Sequence, residues 1–324
     1  MLKTVTAALA VLAIVTTPAL AQQWPAGPVT MIIPFAAGGP TDVLGRIMGE
    51  RMSKALGQQV VIENVGGAGG MAGTSRVAKA RPDGNTFGIG TVGTHAMNQS
   101  LYARPAYDAA ADFQPVILIA QLPIALLTKN GLPVTDLTSF IAHAKANDGK
   151  LNFASAGTGS ATHLGCVLFN AAAGVKAAHG PYKGTGPAMN DIVGGQVDYI
   201  CEIVSTAMPQ IQGKTVKAIA LFNTQRSSVL PELPTADEQG LKGFEAYTWN
   251  GIFLPKGTPA DIAKKLHAAA NEAMNDPAVA KRLSDLGATV VGTEKRTPEY
   301  LDGFVKSEIA KWAKPIKESG AKAE

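Results

Sequence analysis

The sequence lacks the features by which a chain binds nucleic acids or metals or activates a serine. Its 29 Lys and Arg nearly balance 25 Asp and Glu, and no basic run is interleaved with aromatics, which make up 6% of the chain. This composition argues against a nucleic-acid partner. The five histidines show no H-x-x-x-H or comparable spacing, so we expect neither a metal site nor a cofactor. The G-x-S-x-G motif of a serine nucleophile on a strained turn is also missing.

Long hydrophobic runs are scarce too, and the one at the amino terminus is short. Lys3 precedes an apolar stretch at 7–15, and the small-x-small site Ala19-Leu20-Ala21 follows it. The stretch is too short to span a bilayer, and this order of segments is typical of a secretory signal peptide. We predict that residues 1–21 are cleaved off after Ala21 and that the mature chain is exported to the periplasm. No cysteine directly follows this site, so lipid attachment has no support there.

The chain contains only two cysteines, Cys166 and Cys201. Export implies an oxidising compartment, in which such a pair can form a disulfide. A loop of this length would add roughly 3–4 kcal/mol to the free energy of unfolding. Two buried thiols acting as small apolar side chains are an equally good interpretation of the sequence.

Apolar segments alternate between strand and helix character along most of the chain. Residues 29–34 predict a strand, 43–56 predict a helix with one apolar face, and 60–64 predict the next strand. Continued alternation of this kind predicts an α/β fold with mostly parallel sheets. After residue 256 the chain becomes mainly helical, with a short strand at Val290-Val291.

Two apolar stretches, 116–128 and 249–255, stand out from this alternation, and the first is too long for one ordinary strand. We predict that both are crossover strands between two lobes. The first lobe would comprise 22–121 and 247–324, and the second lobe 122–246. Ligands favour the cleft between two such lobes and the carboxyl ends of parallel strands.

Four glycine-containing corners follow predicted strands, at 35–42, 91–95, 155–163 and 182–187. Glycine allows a tight turn and lets a ligand approach the backbone closely. The helix that follows each corner begins with unpaired N–H groups and a partial positive charge. Each corner is therefore a candidate site for a carboxylate or a phosphate. A single corner of this kind would usually be only a turn, but two corners in each predicted lobe favour binding.

Several polar side chains at these corners have both structural and binding interpretations. Asp42 lies in the first turn of its helix and is expected to shape the corner loop rather than to touch an anion. Asp198, assigned to the carboxyl end of a strand, would orient second-lobe loops or, with Glu202, accept a ligand ammonium group. His95 and His163 each follow a corner threonine, where they would either support the loop or contact the ligand.

Two sequence matches suggest other chemistry. Residues 88–93 match G-x-G-x-x-G, but they lie at the third strand and lack the acidic residue that a dinucleotide site requires, so we interpret the match as chance. Ser160 and His163 lie three residues apart at the start of one helix. An exported serine hydrolase therefore remains an alternative, although no acid is placed beside them.

Taken together, six motifs resemble the periplasmic solute receptors of tripartite tricarboxylate transporters, the Bug-type family. They are PFAAGGPTD, VIENVGGAGGMAG, RPDGNTF, FASAGTGSATHLG, PYKGTGPAMNDIVGGQVDY and LPELPTADEQG, and they extend over most of the chain. The resemblance implies a two-lobed type II periplasmic binding protein that closes on a small carboxylate. It also implies delivery of the ligand to membrane permease subunits that are driven by an ion gradient. We expect a monomer that is not an enzyme and that binds a dicarboxylate or an acidic amino acid. A receptor that docks a sensor protein is a further alternative.

The resemblance implies ligand contacts through backbone amides, hydroxyls and bridging waters at the four corners. Lys183 departs from the small or varied residues expected beside its glycine, and would either contact a second carboxylate or lie in solvent. With the two acidic side chains added, the predicted ligand-binding residues are Phe35, Ala36, Ala37, Gly38, Gly39, Asp42, Gly93, Thr94, His95, Ser155, Gly157, Thr158, Gly159, Ser160, Thr162, Tyr182, Lys183, Gly184 and Asp198.

Overall fold

The computed structural model describes residues 24–323, so the predicted signal peptide and its cleavage site lie outside the described residues. Within that range the strands are β1 (Val29–Ile33), β2 (Val60–Asn64), β3 (Thr86–Thr91), β4 (Phe113–Lys129), β5 (Asn152–Ser155), β6 (Ala178–Pro181), β7 (Tyr199–Ile203), β8 (Val216–Leu221), β9 (Tyr247–Pro255) and β10 (Thr289–Val290). The helices are α1 (Pro40–Leu56), α2 (Met71–Ala78), α3 (Asn98–Leu101), α4 (Leu137–Ala146), α5 (Ala161–Ala173), α6 (Thr185–Val193), α7 (Val204–Gln212), α8 (Ala260–Asn275), α9 (Pro277–Asp285) and α10 (Pro298–Ser319).

The strands join into one curled sheet in the order β2-β1-β3-β9-β4-β7-β5-β6, with β8 and β10 pairing with β4 outside this path. At each end of the path the strands are parallel, with β1 beside β2 and β3, and β5 beside β6 and β7. The central strands β9 and β4 run antiparallel to their neighbours. The predicted α/β fold with two lobes and parallel outer strands is therefore confirmed.

The 17-residue strand β4 belongs to both lobes. Its residues up to Pro123 pair with β9, and its residues from Ile124 onward pair with β7 and β8 of the second lobe. This change of partner lies close to the predicted lobe boundary at residue 121. The division into 22–121 with 247–324 and 122–246 itself stays a prediction.

Helix α1 shows how local sequence sets the first corner. Pro40 occupies its first turn, where the missing N–H removes no hydrogen bond. Gly57 ends the helix in the left-handed conformation, with φ 67°. Its N–H donates a hydrogen bond to Lys54 O. The apolar residues that the sequence places on one face, among them Leu44, Met48 and Met52, are buried. Their spacing turns this face onto the sheet and directs the helix start towards the second lobe.

The apolar core extends continuously through both lobes, and a smaller cluster covers the face of the second-lobe sheet beneath α6 and α7. Cys166 of α5 and Cys201 of β7 are fully buried and joined by a disulfide, with their Cα atoms 5.3 Å apart. The bond fixes α5 to the sheet immediately behind the third corner. Within residues 24–323, no helix has both the length and the apolar character needed to cross a bilayer.

Candidate ligand-binding cleft

A small cavity of about 20 Å³ lies between the lobes and takes lining residues from all four glycine corners. Six of its lining side chains carry a hydroxyl, and none carries a charge. The complete lining consists of Phe35, Gly39, Pro40, Thr41, Thr91, Ala156, Ser160, Ala161, Thr162, Thr185, Ile203 and Thr248. The cleft therefore brings together two halves of the molecule that are distant in sequence.

Four helices begin at this cavity. The lining includes the first residues of α1, α5 and α6, together with Ile203, which directly precedes α7. The first N–H groups of a helix have no partner within the helix and carry a partial positive charge. Four such helix starts around a wall of hydroxyl groups form an environment suited to an anion that accepts hydrogen bonds.

Asp42 holds the first corner through hydrogen bonds to its backbone and to neighbouring side chains. One oxygen of its carboxylate accepts a hydrogen bond from Gly38 N at 2.9 Å, and the other accepts one from the Asn64 side chain, also at 2.9 Å. Arg46 pairs with the same carboxylate at 3.0 Å. Burial raises the pKa of this group, but these hydrogen bonds outweigh burial and lower the pKa overall. Asp42 therefore stays ionised and shapes the loop instead of lining the cavity.

The third corner is held by hydroxyl groups of α5. Ser160 precedes the helix, and its Oγ accepts from His163 N at 3.2 Å. Thr162 Oγ1 accepts from Ala156 N at 2.9 Å and lies 3.1 Å from Ser160 Oγ. These bonds fix the start of α5 at the cavity.

The two lobes touch across the cleft through backbone atoms. Ala36 N donates to Lys183 O at 3.1 Å. A Cβ added to Gly93 would lie 2.7 Å from Gly159 O, and one added to Gly184 would lie 2.9 Å from Ala36 N. Glycine is thus required where the corners meet, because side chains there would hold the lobes apart.

A family model described as the tripartite tricarboxylate transporter family receptor matches residues 44–321. The chain belongs to this receptor family. Its structure superimposes on that of the periplasmic binding protein BugD with a TM-score of 0.89 at 39% identity, covering 93% of this chain and all of BugD. MatC from Rhodopseudomonas palustris, solved with bound malate, gives 0.88 at 41% identity over 90% of this chain and all of MatC.

A second R. palustris protein, solved with adipate, gives a TM-score of 0.87 at 34% identity over 92% of this chain and 98% of its own. The resemblance to Bug-type receptors stated from the six motifs is therefore confirmed.

Not every predicted site residue of this receptor lies at the cavity. His95 is buried and stacks on Phe253, with ring centroids 3.9 Å apart, and burial lowers its pKa to about 3. It is therefore a neutral core side chain that does not line this cavity, which favours loop support over ligand contact among the two interpretations of the sequence. Its neighbour Thr94 is also buried, with Oγ1 accepting from Thr91 N at 2.9 Å and O accepting from Tyr107 at 2.6 Å.

Asp198 is also misplaced in the sequence interpretation. It directly precedes β7, which begins at Tyr199, so it lies at the amino end of that strand and not at the carboxyl end. Its carboxylate pairs with Lys129 Nζ at 2.7 Å and accepts from Asn152 N at 2.8 Å. These bonds connect three strands at the edge of the second lobe away from the cavity, so they favour the structural role of Asp198 over ligand contact.

The fourth corner contributes mainly backbone atoms, not side chains, to the contact between the lobes. The Tyr182 hydroxyl donates to Asp191. Burial, and to a smaller extent the neighbouring Asp191 carboxylate, raises the pKa of Tyr182 to about 12. The Lys183 side chain is exposed, while its carbonyl accepts the bond from the first lobe described above. Contacts of the remaining predicted corner residues with a ligand stay a prediction.

Ser160 and His163 do not form the pair that a hydrolase needs. The His163 ring accepts from Gly159 N through Nδ1 at 3.2 Å, and it packs against His179 with centroids 4.2 Å apart. Burial, and then the charge of His179, lower the pKa of His163 to about 3. The bond between Ser160 and His163 runs through the backbone N–H, so it leaves the serine without an imidazole base.

Sequence reasoning missed Thr41, Thr91, Thr185 and Thr248 as lining residues. Thr41 and Thr185 each lie inside a predicted corner, in the first turn of the helix that follows the strand. Hydroxyl residues in the first helical turn were the available signal for these two. Thr248 lies on β9, and a position on the second crossover strand could have indicated it.

One acidic side chain lies behind the cavity wall. Glu202 of β7 is completely buried, and its Oε1 accepts from the Thr206 hydroxyl. Its Oε2 has no hydrogen-bond partner. Burial raises the pKa of Glu202 to about 7, against smaller opposing effects of the Thr206 and Thr185 hydroxyls and the Ile203 backbone.

Proposed function

We propose that this receptor captures a small carboxylate in the periplasm and delivers it to the permease subunits of a tripartite tricarboxylate transporter. The observation that supports it best is the cavity between the lobes, onto which four helix starts converge without any charged side chain in the wall. Free N–H groups and hydroxyls at such a site stabilise a carboxylate and exclude cations. The proposal that residues 1–21 are a signal peptide, cleaved after Ala21, belongs to the same function.

Malate in MatC and adipate in the second R. palustris relative suggest the ligand class. Both are dicarboxylates of different length. Because four helix starts and six hydroxyl groups border this cavity and no charged side chain does, we propose that the receptor accepts a dicarboxylate or an acidic amino acid and recognises mainly the carboxylate groups. Hinge closure would then be driven by contacts that the ligand makes with both lobes at once.

The proposal is tested by thermal unfolding with malate, adipate, succinate, aspartate and glutamate. A ligand at about 100 times its Kd should raise the Tm by about 5 °C, since binding stabilises only the folded state. Calorimetry should give one site per chain, and mass analysis should show the ligand unchanged. Conversion of ester or amide substrates that is lost in Ser160→Ala would instead favour the hydrolase.

A matched pair of glycine variants tests the cleft itself. Gly93→Ala places a methyl group 2.7 Å from Gly159 O across the cleft, whereas a Cβ at Gly131 meets no atom within 4 Å. We expect Gly93→Ala to weaken binding at least about 10-fold, because closure is obstructed, and Gly131→Ala to bind as the wild type does. Equal affinities in both variants would contradict a site between the lobes.

Delivery to a permease needs a cellular test. Uptake of the bound carboxylate should require both this receptor and the cognate permease subunits. Unchanged uptake without the permease would favour the sensor-docking alternative.

A further inference from the structure

A glycine-rich loop of the first lobe, 66–70, follows β2 and packs against the second lobe beside the cleft. A Cβ added to Gly66 would lie 2.6 Å from Lys183 O, and one added to Gly69 would overlap Thr158 O. The absence of side chains at these two positions therefore lets the loop backbone lie directly against the backbone of the second lobe.

Tyr102, which directly follows α3, reaches this junction from the first lobe. Its hydroxyl donates to Thr158 O of the second lobe at 3.0 Å and to Ala68 O of the glycine-rich loop at 3.3 Å. Both acceptors are backbone carbonyls, so they share the single O–H of the tyrosine. Burial raises the pKa of Tyr102, which keeps this proton in place at neutral pH. One hydroxyl thus connects the glycine-rich loop to the second lobe.

The backbone around Tyr102 is fixed within the first lobe. Ala323 N, beyond the end of α10, donates to Leu101 O at 3.0 Å, and Ala103 N donates to Ala323 O at 3.2 Å. The ring is buried, and its edge lies 3.1 Å from the Cβ position of Gly159. The hydroxyl therefore stays with the first lobe when the lobes separate, and its bond to the second lobe forms only in the closed arrangement.

We propose that the Tyr102 hydroxyl is a latch between the lobes, whose bond to Thr158 O stabilises the closed arrangement by the same amount whichever carboxylate is bound. Tyr102 does not line the cavity, so its contribution does not depend on the shape of the ligand. Part of the free energy of closure then comes from the protein itself and not from ligand contacts. The inference rests on the proposed function only where it concerns the release of a ligand.

Tyr102→Phe keeps the ring and removes the latch. In the open arrangement water replaces the lost bond, so the substitution destabilises only the closed one by the net value of a hydrogen bond. We expect malate and adipate to dissociate about three- to ten-fold faster from the variant, by the same factor for both, with little change in the association rate. Stopped-flow displacement measures both rates.

Tyr199→Phe is the matched control, because it also removes one tyrosine hydroxyl. The Tyr199 hydroxyl donates to Asn170 Oδ1 at 2.9 Å within the second lobe. Its loss should lower the Tm and leave the release of malate unchanged. Release at the wild-type rate from Tyr102→Phe, or equally faster release from both variants, would overturn the inference while the proposed function stands.

Hydrogen exchange tests the latch without a ligand. The N–H of Ala36 donates to Lys183 O across the cleft, so its exchange reports the separation of the lobes. In ligand-free Tyr102→Phe this amide should exchange about three- to ten-fold faster than in the wild type, whereas the amides of β7 should keep their rates. Equal exchange at Ala36 in the two proteins would overturn the inference. If neither malate nor adipate binds the folded wild type, the dicarboxylate ligand of the proposed function is wrong, and the exchange of Ala36 alone decides whether the latch exists.

Discussion

Glu308 and Glu202 are both buried glutamates, but their surroundings differ. On α10, Glu308 accepts hydrogen bonds from Tyr247 at 2.8 Å, from Trp249 Nε1 at 2.9 Å and from Trp312 Nε1 at 3.0 Å. Glu202 accepts from one hydroxyl and has an oxygen with no partner. The first acid fastens the helical layer to β9, and the second lies behind the cavity between the lobes.

This difference shows where the molecule leaves hydrogen-bonding capacity unused. At Glu308 each carboxylate oxygen has a donor, as is usual for buried polar groups. Around the starts of α6 and α7, in contrast, Thr185 Oγ1, Glu202 Oε2 and Ser205 Oγ all lack a partner. Unpaired buried groups destabilise the folded chain.

The largest effect should come from removing the satisfied acid. Glu308→Ala leaves three donors of the core without an acceptor, so we expect the free energy of unfolding to fall by about 3–5 kcal/mol. Urea denaturation at pH 7 measures the loss. Glu308→Gln should lose less, because its carbonyl oxygen can still accept from both tryptophans. A loss below about 1 kcal/mol in Glu308→Ala would remove the contrast between the two acids.

Replacing the acid behind the cavity should instead raise the free energy of unfolding. Because the pKa of Glu202 is raised from 4.5 to about 7 in the folded state, its ionisation opposes folding, and stability is lost as pH rises between these values. Glu202→Gln should therefore be more stable than the wild type by up to about 3 kcal/mol at pH 8. This gain should shrink towards zero near pH 4.5. Denaturation at both pH values tests it, and a gain that does not depend on pH would contradict the assigned titration.

The smallest effect concerns Thr185. Replacing its unpaired hydroxyl by the methyl group of Thr185→Val should raise the free energy of unfolding by about 0.5–1 kcal/mol. The same variant should bind malate less tightly, because one donor to the ligand is lost. Paired denaturation and calorimetry measure both changes. A variant that loses stability would show that the Thr185 hydroxyl is already satisfied within the protein.

Local sequence was sufficient to predict elements such as α1 and the four corners. Pro40 and Gly57 bound α1 through their own backbone preferences, and the apolar spacing between them indicates which face is buried. Such signals act over a few residues, so one sequence reveals them. The convergence of the corners depends also on the long strand β4, which the length of the apolar stretch 116–128 indicated.

The direction of individual side chains could not be predicted in the same way. Asp198 was assigned to the wrong end of β7 because strand ends are set by pairing with β4 and β5, which are distant in sequence. His95 follows a corner threonine but turns towards Phe253, which the chain supplies from β9. Glu202 was considered, with Asp198, as an acceptor for a ligand ammonium group, and its burial was not predicted because it depends on α6 and α7 folding over it.

The shared strand β4 has a mechanical consequence. Pro123 lies where β4 changes partners, and proline has no N–H to contribute to a sheet ladder. Bending there breaks fewer hydrogen bonds than bending at a residue of the strand whose N–H donates to a neighbouring strand. We therefore expect the two lobes to rotate about a hinge at this proline. Opening would then leave both ends of β4 paired in the sheet.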